Sequence, residues 1–369
     1  MASLRTGAPV NPTDGPQPST CWTCKSPDVP RMMEALGVDS FYNNKWGAMG
    51  AEIVNPIGCS DCHDPETMNL HISRPALIEA FQRQGKDITK ATPQEMRSLV
   101  CAQCHVEYYF KGDGKYLTFP WDKGFTVEDM EAYYDEAGFY DYIHKLSRAP
   151  ILKAQHPDYE IFKMGIHAQR GVSCADCHMP YNDEGGIKYS DHHIQNPLAV
   201  TERTCQTCHR DNKETLCKNV YERQQKANEL RTLLEKELAK AHIEAKFTWD
   251  IGATENEMQE ALLLIRQAQW RWDFGVSSYG GSFHAPQETM RILGHGLNKV
   301  FQARMLISKV LVAHGYTDNV PLPDITTKEK AQQYIGLDMA VEKADKDKFL
   351  KEIVPEWLQK AKANGRIVN

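Results

Sequence analysis

Five Cys-x-x-Cys pairs carry the chemistry of this chain: Cys21/Cys24, Cys59/Cys62, Cys101/Cys104, Cys174/Cys177 and Cys205/Cys208. In the last four a histidine follows at once, as His63, His105, His178 and His209; in the first the next residue is Lys25. C-x-x-C-H is the attachment pattern of c-type haem, with two thioethers fixing the porphyrin and the adjacent imidazole reaching the iron from one face. Zinc ribbons also pair cysteines at this spacing, but they need no histidine directly after each pair. A dithiol redox motif would occur once, beside a βαβ pattern. Four repeats of the full motif therefore assign covalent haem, and the fifth pair, CWTCK, falls into line with them. Axial-ligand identity is a main lever on what a haem iron does. Lys25 thus marks one haem out of five as chemically different.

A ligand census follows. Five haems have ten axial positions, and Lys25, His63, His105, His178 and His209 take five of them. If the lysine haem keeps its far side open for a substrate, four distal histidines are needed. Ten remain: His71, His144, His156, His167, His192, His193, His242, His284, His295 and His314. Spacing alone does not choose among them.

The elements that must position these groups read as mainly α: a multihaem cytochrome c domain with a loop-rich haem core and long C-terminal helices. Short helices are expected to carry each C-x-x-C-H, because the first Cys and the His must face one porphyrin. Residues 112–125 and 182–186 read as turn-rich loops. From 211 to 251 there is no Gly or Pro, and Leu216, Val220, Ala227, Leu230, Leu234, Leu238 and Ala241 recur at helical spacing. A second helix should start at a capping box, Thr254 with Glu257, and run to about Phe274. A third should start at Pro286, a proline suited to the first helical position, and end near Val312. A last pair should follow a second capping box at Thr326 with Glu329. The expected division is 1–210 as the pentahaem catalytic part and 211–369 as a long-helix part that packs on it and forms a homodimer interface, the two intertwined as one domain.

Net charge is −6, which argues against a nucleic-acid surface, and no stretch reaches the apolar length of a membrane span. Haem attachment to C-x-x-C-H in bacteria takes place outside the cytoplasmic membrane, so a periplasmic location is expected. Met1-Ala-Ser-Leu-Arg has no apolar signal-peptide core, so the signal peptide is expected to be absent from this chain. Ten of the 11 cysteines are used by haem, leaving Cys217, which reads as a small buried helix residue.

Several segments resemble the ammonia-forming cytochrome c nitrite reductases: LRTGAP (4–9), CWTCKSPDV (21–29), CAQCHVEYYF (101–110), LKAQHP (152–157), GIHAQRGVSCADCHMP (165–180), DHHIQNP (191–197), AQWRWD (268–273) and FHAP (283–286). The resemblance implies six-electron reduction of nitrite to ammonium, with side activity on hydroxylamine or sulfite. It implies five c-type haems, one calcium ion, a homodimer, and an electron donor that is either a membrane quinol dehydrogenase or a soluble multihaem cytochrome. It makes Lys25 the proximal ligand of the catalytic haem, with Arg5, Tyr108 and His156 on its open side. His192 becomes distal ligand to the second haem, His284 to the fourth and His167 to the fifth. Calcium would take the Glu107 side chain, the Tyr108 and Lys153 carbonyls and the Gln155 side chain, oxygen donors that suit a hard cation. In the family the distal histidine of the third haem precedes the arginine corresponding to Arg5. The expectation is therefore an N-terminally truncated chain in which the His105 haem lacks its native sixth ligand. The rival readings are an electron carrier without chemistry, which would leave CWTCK unexplained, and a multihaem enzyme acting on hydroxylamine, sulfite or tetrathionate.

Overall fold

In the computed structural model, residues 17–367 are described, and Arg5 lies outside them. The structure is 59% helical. Strands among the described residues are confined to three two-stranded antiparallel hairpins. Contacts divide the chain into two discontinuous units. One comprises Met1–Glu79, Tyr109–Phe119 and Pro323–Asn369; the other comprises Ala80–Tyr108 and Pro120–Leu322. The second unit therefore takes residues from both sides of position 210.

The second unit is built on three long helices: Lys213–Asp250, Glu255–Ser277 and Pro286–Ala313. Their starts obey local rules. Asn212 caps the first through the amide of Thr215, Thr254 and Glu257 form the expected capping box, and Pro286 opens the third. Leu234, Leu238 and Ala241 on the first, Ala261, Ile265 and Ala268 on the second, and Leu293, Val300 and Ile307 on the third are buried in one apolar core. The helices approach closely at Gly296, where a Cβ would come within 2.7 Å of a Leu234 methyl. Cys217 is half-buried on the first helix.

Polar anchors fix other segments of this unit onto the second helix. The Arg271 guanidinium meets the Glu131 carboxylate with two 2.9 Å hydrogen bonds, and Trp270 Nε1 donates to the Val127 carbonyl at 2.9 Å. Breaking a buried pair of the Arg271–Glu131 kind by removing one partner typically costs about 3–5 kcal/mol.

His242 is buried on the first helix. Its ring stacks on His144, with centres 3.7 Å apart, and its Nδ1 lies 2.8 Å from Ser147 Oγ. Burial pushes its pKa down to about 3, and the neighbouring His144 adds to this. The folded imidazole therefore stays neutral while the unfolded one takes up a proton near 6.5. The unfolded state binds more protons between these values, so this contribution to stability is complete above about pH 6.5. It is lost as pH falls toward 3, by at most about 1.4 kcal/mol per pH unit. His242→Gln should show a shallower fall in Tm between pH 7 and 4 than the parent protein, and parallel curves would contradict this origin.

In the first unit, helices Asp28–Leu36 and Val38–Asn43 pack near the first haem motif. The hairpin Tyr109–Lys111/Tyr116–Thr118 contributes to the same unit, so part of the expected 112–125 loop is strand. Likewise, the expected 182–186 loop lies in the hairpin Tyr181–Glu184/Ile187–Ser190. The C-terminal region differs from expectation in two respects. Its first helix, Lys328–Tyr334, is capped by Thr327 rather than Thr326, because Thr326 spends its hydroxyl on Asp324. Instead of a pair there are three helices, the others being Met339–Lys348 and Val354–Ala363, joined by a π-helical segment, Phe349–Ile353. Trp357 closes onto Gly50, where a Cβ would fall 2.2 Å from the indole. Its ring also meets Trp46, which stacks on Trp22 at 4.8 Å.

Candidate haem and active-site residues

Each Cys-x-x-Cys pair begins in a short helical turn or at a helix end. Cys21 lies in the 3-10 turn Ser19–Trp22, Cys59 in Cys59–Asp61, Cys101 near the end of Pro93–Ala102, Cys174 in Cys174–His178 and Cys205 in Cys205–Thr207. The expectation that a short helix carries each whole motif needs correction. Only the fourth motif is helical throughout, with Cys174, Cys177 and His178 in one element. In the other three histidine motifs the second cysteine, Cys62, Cys104 or Cys208, lies just past the helical residues, and Cys24 does so in the lysine motif. A single turn is enough to bring two cysteines three residues apart onto one side. The amides of Cys62, Cys104 and Cys208 donate to the carbonyls of Cys59, Cys101 and Cys205 at 3.1, 3.1 and 3.2 Å, and those bonds close the turn without a longer helix. Cys62 and Cys104 are half-buried and Cys208 is exposed; among the described residues no cysteine is paired in a disulfide.

Three of the histidine loops also close back on their first cysteine: the amides of His63, His105 and His209 donate to the carbonyls of Cys59, Cys101 and Cys205 at 2.8, 3.0 and 2.9 Å. The lysine loop closes differently, the Lys25 amide donating to the Trp22 carbonyl at 2.9 Å.

The imidazoles after the motifs are oriented by their far nitrogens. His63 Nδ1 lies 2.7 Å from the Met68 carbonyl and His178 Nδ1 lies 3.0 Å from the Gln195 carbonyl. A carbonyl only accepts, so Nδ1 carries the proton in both rings and Nε2 keeps its lone pair for a metal. His105 Nδ1 faces the Asp158 carboxylate at 3.4 Å, a bond that holds its pKa above the ordinary value.

The second unit brings two further histidines to these motifs. The rings of His167 and His209 are 6.2 Å apart, nearly perpendicular. Those of His178 and His284 are 6.3 Å apart in the same manner. Metal–imidazole bonds are about 2 Å long and the ring centre lies about 1 Å behind its nitrogen, so two imidazoles on opposite sides of one iron have centres about 6 Å apart. His284 is seated with little room to spare. A Cβ on Gly165 would strike the His284 carbonyl at 1.8 Å, and one on Gly280 would strike its ring at 2.3 Å. His284 Nδ1 is buried without a hydrogen-bond partner, and burial pushes the ring down to about 4, which keeps it neutral as a metal ligand must be. The motif cysteines, their histidines and these two further imidazoles fit c-type haem.

Tyr108 and His156 lie together in the same unit, ring centres 6.5 Å apart. Exposed Tyr279 also stacks on His156, with ring centres 6.5 Å apart; no motif pointed to it. Lys25, His63 and their cysteines belong to the first unit, whereas His192 belongs to the second.

The expected calcium donors are neighbours. Glu107 is fully buried; its carboxylate accepts from the Gln155 amide at 2.6 Å and from the Tyr134 hydroxyl at 2.9 Å. The Gln155 side chain lies 3.4 Å from the Lys153 carbonyl. Asp141 accepts from the Lys153 amide and Asp273 from the Ala154 amide. Burial raises the pKa of all three carboxyls, Glu107 well above its ordinary value and Asp273 to about 6. Among the described residues no three His, Cys, Asp or Glu side chains converge on one metal position, and the expected set has a single carboxylate, the rest being carbonyl and amide oxygens. A set of oxygen donors around the buried Glu107 carboxylate, with Tyr108 and Gln155 half-buried and Lys153 exposed, fits calcium. Asp141, Asp273 and Tyr134 are long-range partners without a local signature, although Asp273 closes the AQWRWD segment. Glu160, also missed, is fully buried and accepts from the Glu107 amide and Trp121 Nε1, both at 2.8 Å; burial raises it to about 8.

A profile of the family described as cytochrome c552 matches residues 1–365. The chain belongs to the cytochrome c552 family. It is 82% identical over 366 residues to the cytochrome c-552 of Bacteroides thetaiotaomicron, covering 99% of this chain and 74% of that one. It is 48% identical over 376 residues to that of Maridesulfovibrio salexigens, covering 99% and 75%. The fold is similar to the cytochrome c nitrite reductase of Desulfovibrio desulfuricans, with a TM-score of 0.77, 34% identity, and coverage of 83% of this chain and 69% of that one. That structure is described as the catalytic subunit with two calcium sites. The mainly helical multihaem fold and the resemblance read from the sequence are borne out, and the chain is an oxidoreductase of the cytochrome c nitrite reductase class.

Proposed function

We propose that this chain reduces nitrite to ammonium by six electrons at a haem whose iron is held by Lys25. Electrons would reach it through haems attached at the four C-x-x-C-H motifs. One observation carries the reading. Two of the histidine motifs have a second imidazole at the distance an iron would span, which suits relays, while a single motif carries lysine. A pure carrier has no use for that exception. A haem held at Cys21, Cys24 and Lys25 would supply the electrons and a position for nitrite. The chain supplies the protons and the polar contacts. Each N–O bond that breaks must release its oxygen as water, so a proton has to arrive at that oxygen. His156 is the best donor by its intrinsic pKa, and Tyr108 can donate a hydrogen bond. Arg5 is proposed to hold the nitrite oxygens. Five covalent haems belong to the same proposal, attached through Cys21 and Cys24, Cys59 and Cys62, Cys101 and Cys104, Cys174 and Cys177, and Cys205 and Cys208. So do distal ligation by His167, His192 and His284, and calcium at Glu107, Tyr108, Lys153 and Gln155. Periplasmic location and a cytochrome donor complete it.

A homodimer through the long helices is part of the reading. Tyr221 and Leu233 on the first, and Phe301 and Met305 on the third, are large apolar side chains left exposed. Sedimentation at micromolar concentration should give a dimer; a monomer under those conditions would count against it.

The deciding assay supplies the holoprotein with reduced viologen and nitrite. Ammonium should form in amounts that account for the nitrite consumed, with hydroxylamine and sulfite as weaker substrates. Haems that reduce fully yet are not reoxidised by nitrite would leave only the electron-carrier reading. Preferential turnover of sulfite or tetrathionate would favour the other enzyme class.

A further inference from the structure

We infer that Arg74 is the positioning residue for the lysine ligand, tying the backbone on both sides of Cys24-Lys25 to the Asp61 carboxylate of the next haem-attachment loop. This rests on the proposed ligation by Lys25. Arg74 is only 1% exposed. Its Nε donates to the Thr23 carbonyl at 3.1 Å and its Nη2 to the Ser26 carbonyl at 2.8 Å. Those two carbonyls bracket Cys24 and Lys25. Nη1 donates to Ser73 Oγ at 2.6 Å, and the guanidinium forms an ion pair with Asp61. Asp61, the third residue of the C-S-D-C pair, is itself 4% exposed and accepts from the Gly58 amide at 2.7 Å, bracing its own loop.

The physical need is specific to lysine. A histidine ligand is aimed by its second ring nitrogen, as the Met68 and Gln195 carbonyls and the Asp158 carboxylate do for His63, His178 and His105. A lysine amine on its four-carbon stem has no second nitrogen to hold and many rotamers to choose from. Its reach must be set by fixing the backbone that carries it. A rigid, always-charged fork with five N–H donors can hold two carbonyls and a carboxylate at once; an ammonium cannot do so in one plane. The fourth motif shows the contrast. Its Asp176 accepts from Arg97 at 3.2 Å, but the other Arg97 nitrogen goes to Ser190 Oγ, and the ligand there is a histidine with its own anchor.

The test uses purified holoprotein carrying Arg74→Gln, Arg74→Lys and Asp61→Asn. Haem content, the electron paramagnetic resonance signature of the lysine-ligated high-spin haem, and kcat and KM for nitrite are measured. Arg74→Gln should keep five haems, alter that high-spin signature and lower kcat between about 10- and 100-fold, with a smaller change in KM and no change in the signals of the histidine-ligated haems. Arg74→Lys should fall between it and the parent. A five-haem Arg74→Gln protein with the parent's high-spin signature and kcat overturns the inference. If Arg74→Gln fails to retain haem, Asp61→Asn decides, because it removes the countercharge while Asn can still accept from Gly58. A shifted high-spin signal supports the inference and an unshifted one overturns it. Lys25→His separates the two readings. An unchanged spectrum there defeats lysine ligation itself. A changed spectrum together with an inert Arg74→Gln defeats only the role of Arg74.

Discussion

His156→Asn is expected to lower ammonium formation by about 10²–10⁴-fold, the usual loss on removing a general acid, while all five haems stay in place. Each oxygen of nitrite would have to leave as water, and of the proposed catalytic residues Arg5, Tyr108 and His156 it is histidine whose ordinary pKa lies nearest neutral pH. Asparagine keeps a hydrogen-bonding group of similar size but cannot deliver a proton. The neighbouring Tyr108→Phe, which keeps the ring that lies 6.5 Å from His156, should lose activity in the same direction. The KM for nitrite should move less than kcat in both, because proton delivery acts after binding. The readouts are haem content per chain and viologen-driven ammonium formation. Loss of haem, in place of loss of turnover, would make these residues structural and sink the catalytic assignment.

Lys25→His should convert the exceptional motif into a fifth C-x-x-C-H. The loop differs from the others in its closure, since the Lys25 amide bonds to Trp22 and not to the first cysteine. An imidazole one residue after Cys24 is therefore not guaranteed the geometry of the other sites. The expected result is a changed high-spin spectrum and nitrite reduction lowered by about 10²-fold or more, the scale on which misplacing a reactive group costs rate. Unchanged spectra and turnover would show that the fifth position of CWTCK does not ligate the iron.

Much of the fold and site can be read locally. Covalent haem attachment is a rule of adjacent residues, so five motifs are visible without any knowledge of the fold. The helices expected beneath them are shorter than the motifs, because one closed turn already places Cys62, Cys104 and Cys208 beside their first cysteines. Helix starts are equally local: Thr254 with Glu257, and Pro286, act within one turn of themselves. The same rule slipped by one residue at Thr326, because the competing acceptor on Asp324 lies before the helix and carries no periodic signal. Short hairpins such as Tyr181–Glu184/Ile187–Ser190 were lost among turn residues, since a strand of four residues is barely a pattern.

What the sequence by itself determined is which residues can bind haem and which motif is unlike the others, because both follow from residue types at fixed separations. Which histidines lie beside which motif does not follow from spacing; the resemblance implied it, and it is a matter of tertiary structure. The ring of His284 comes to 6.3 Å from that of His178, and the ring of His167 to 6.2 Å from that of His209, across chain separations that no local spacing encodes. The partners that tune these groups are of the same kind: Asp158 on His105, Asp273 on the Ala154 amide, Arg74 on the carbonyls of Thr23 and Ser26. Hydrogen bonds and ion pairs have a reach of about 3 Å, so their partners are chosen by packing in space, and packing is what brings distant stretches of chain within that reach.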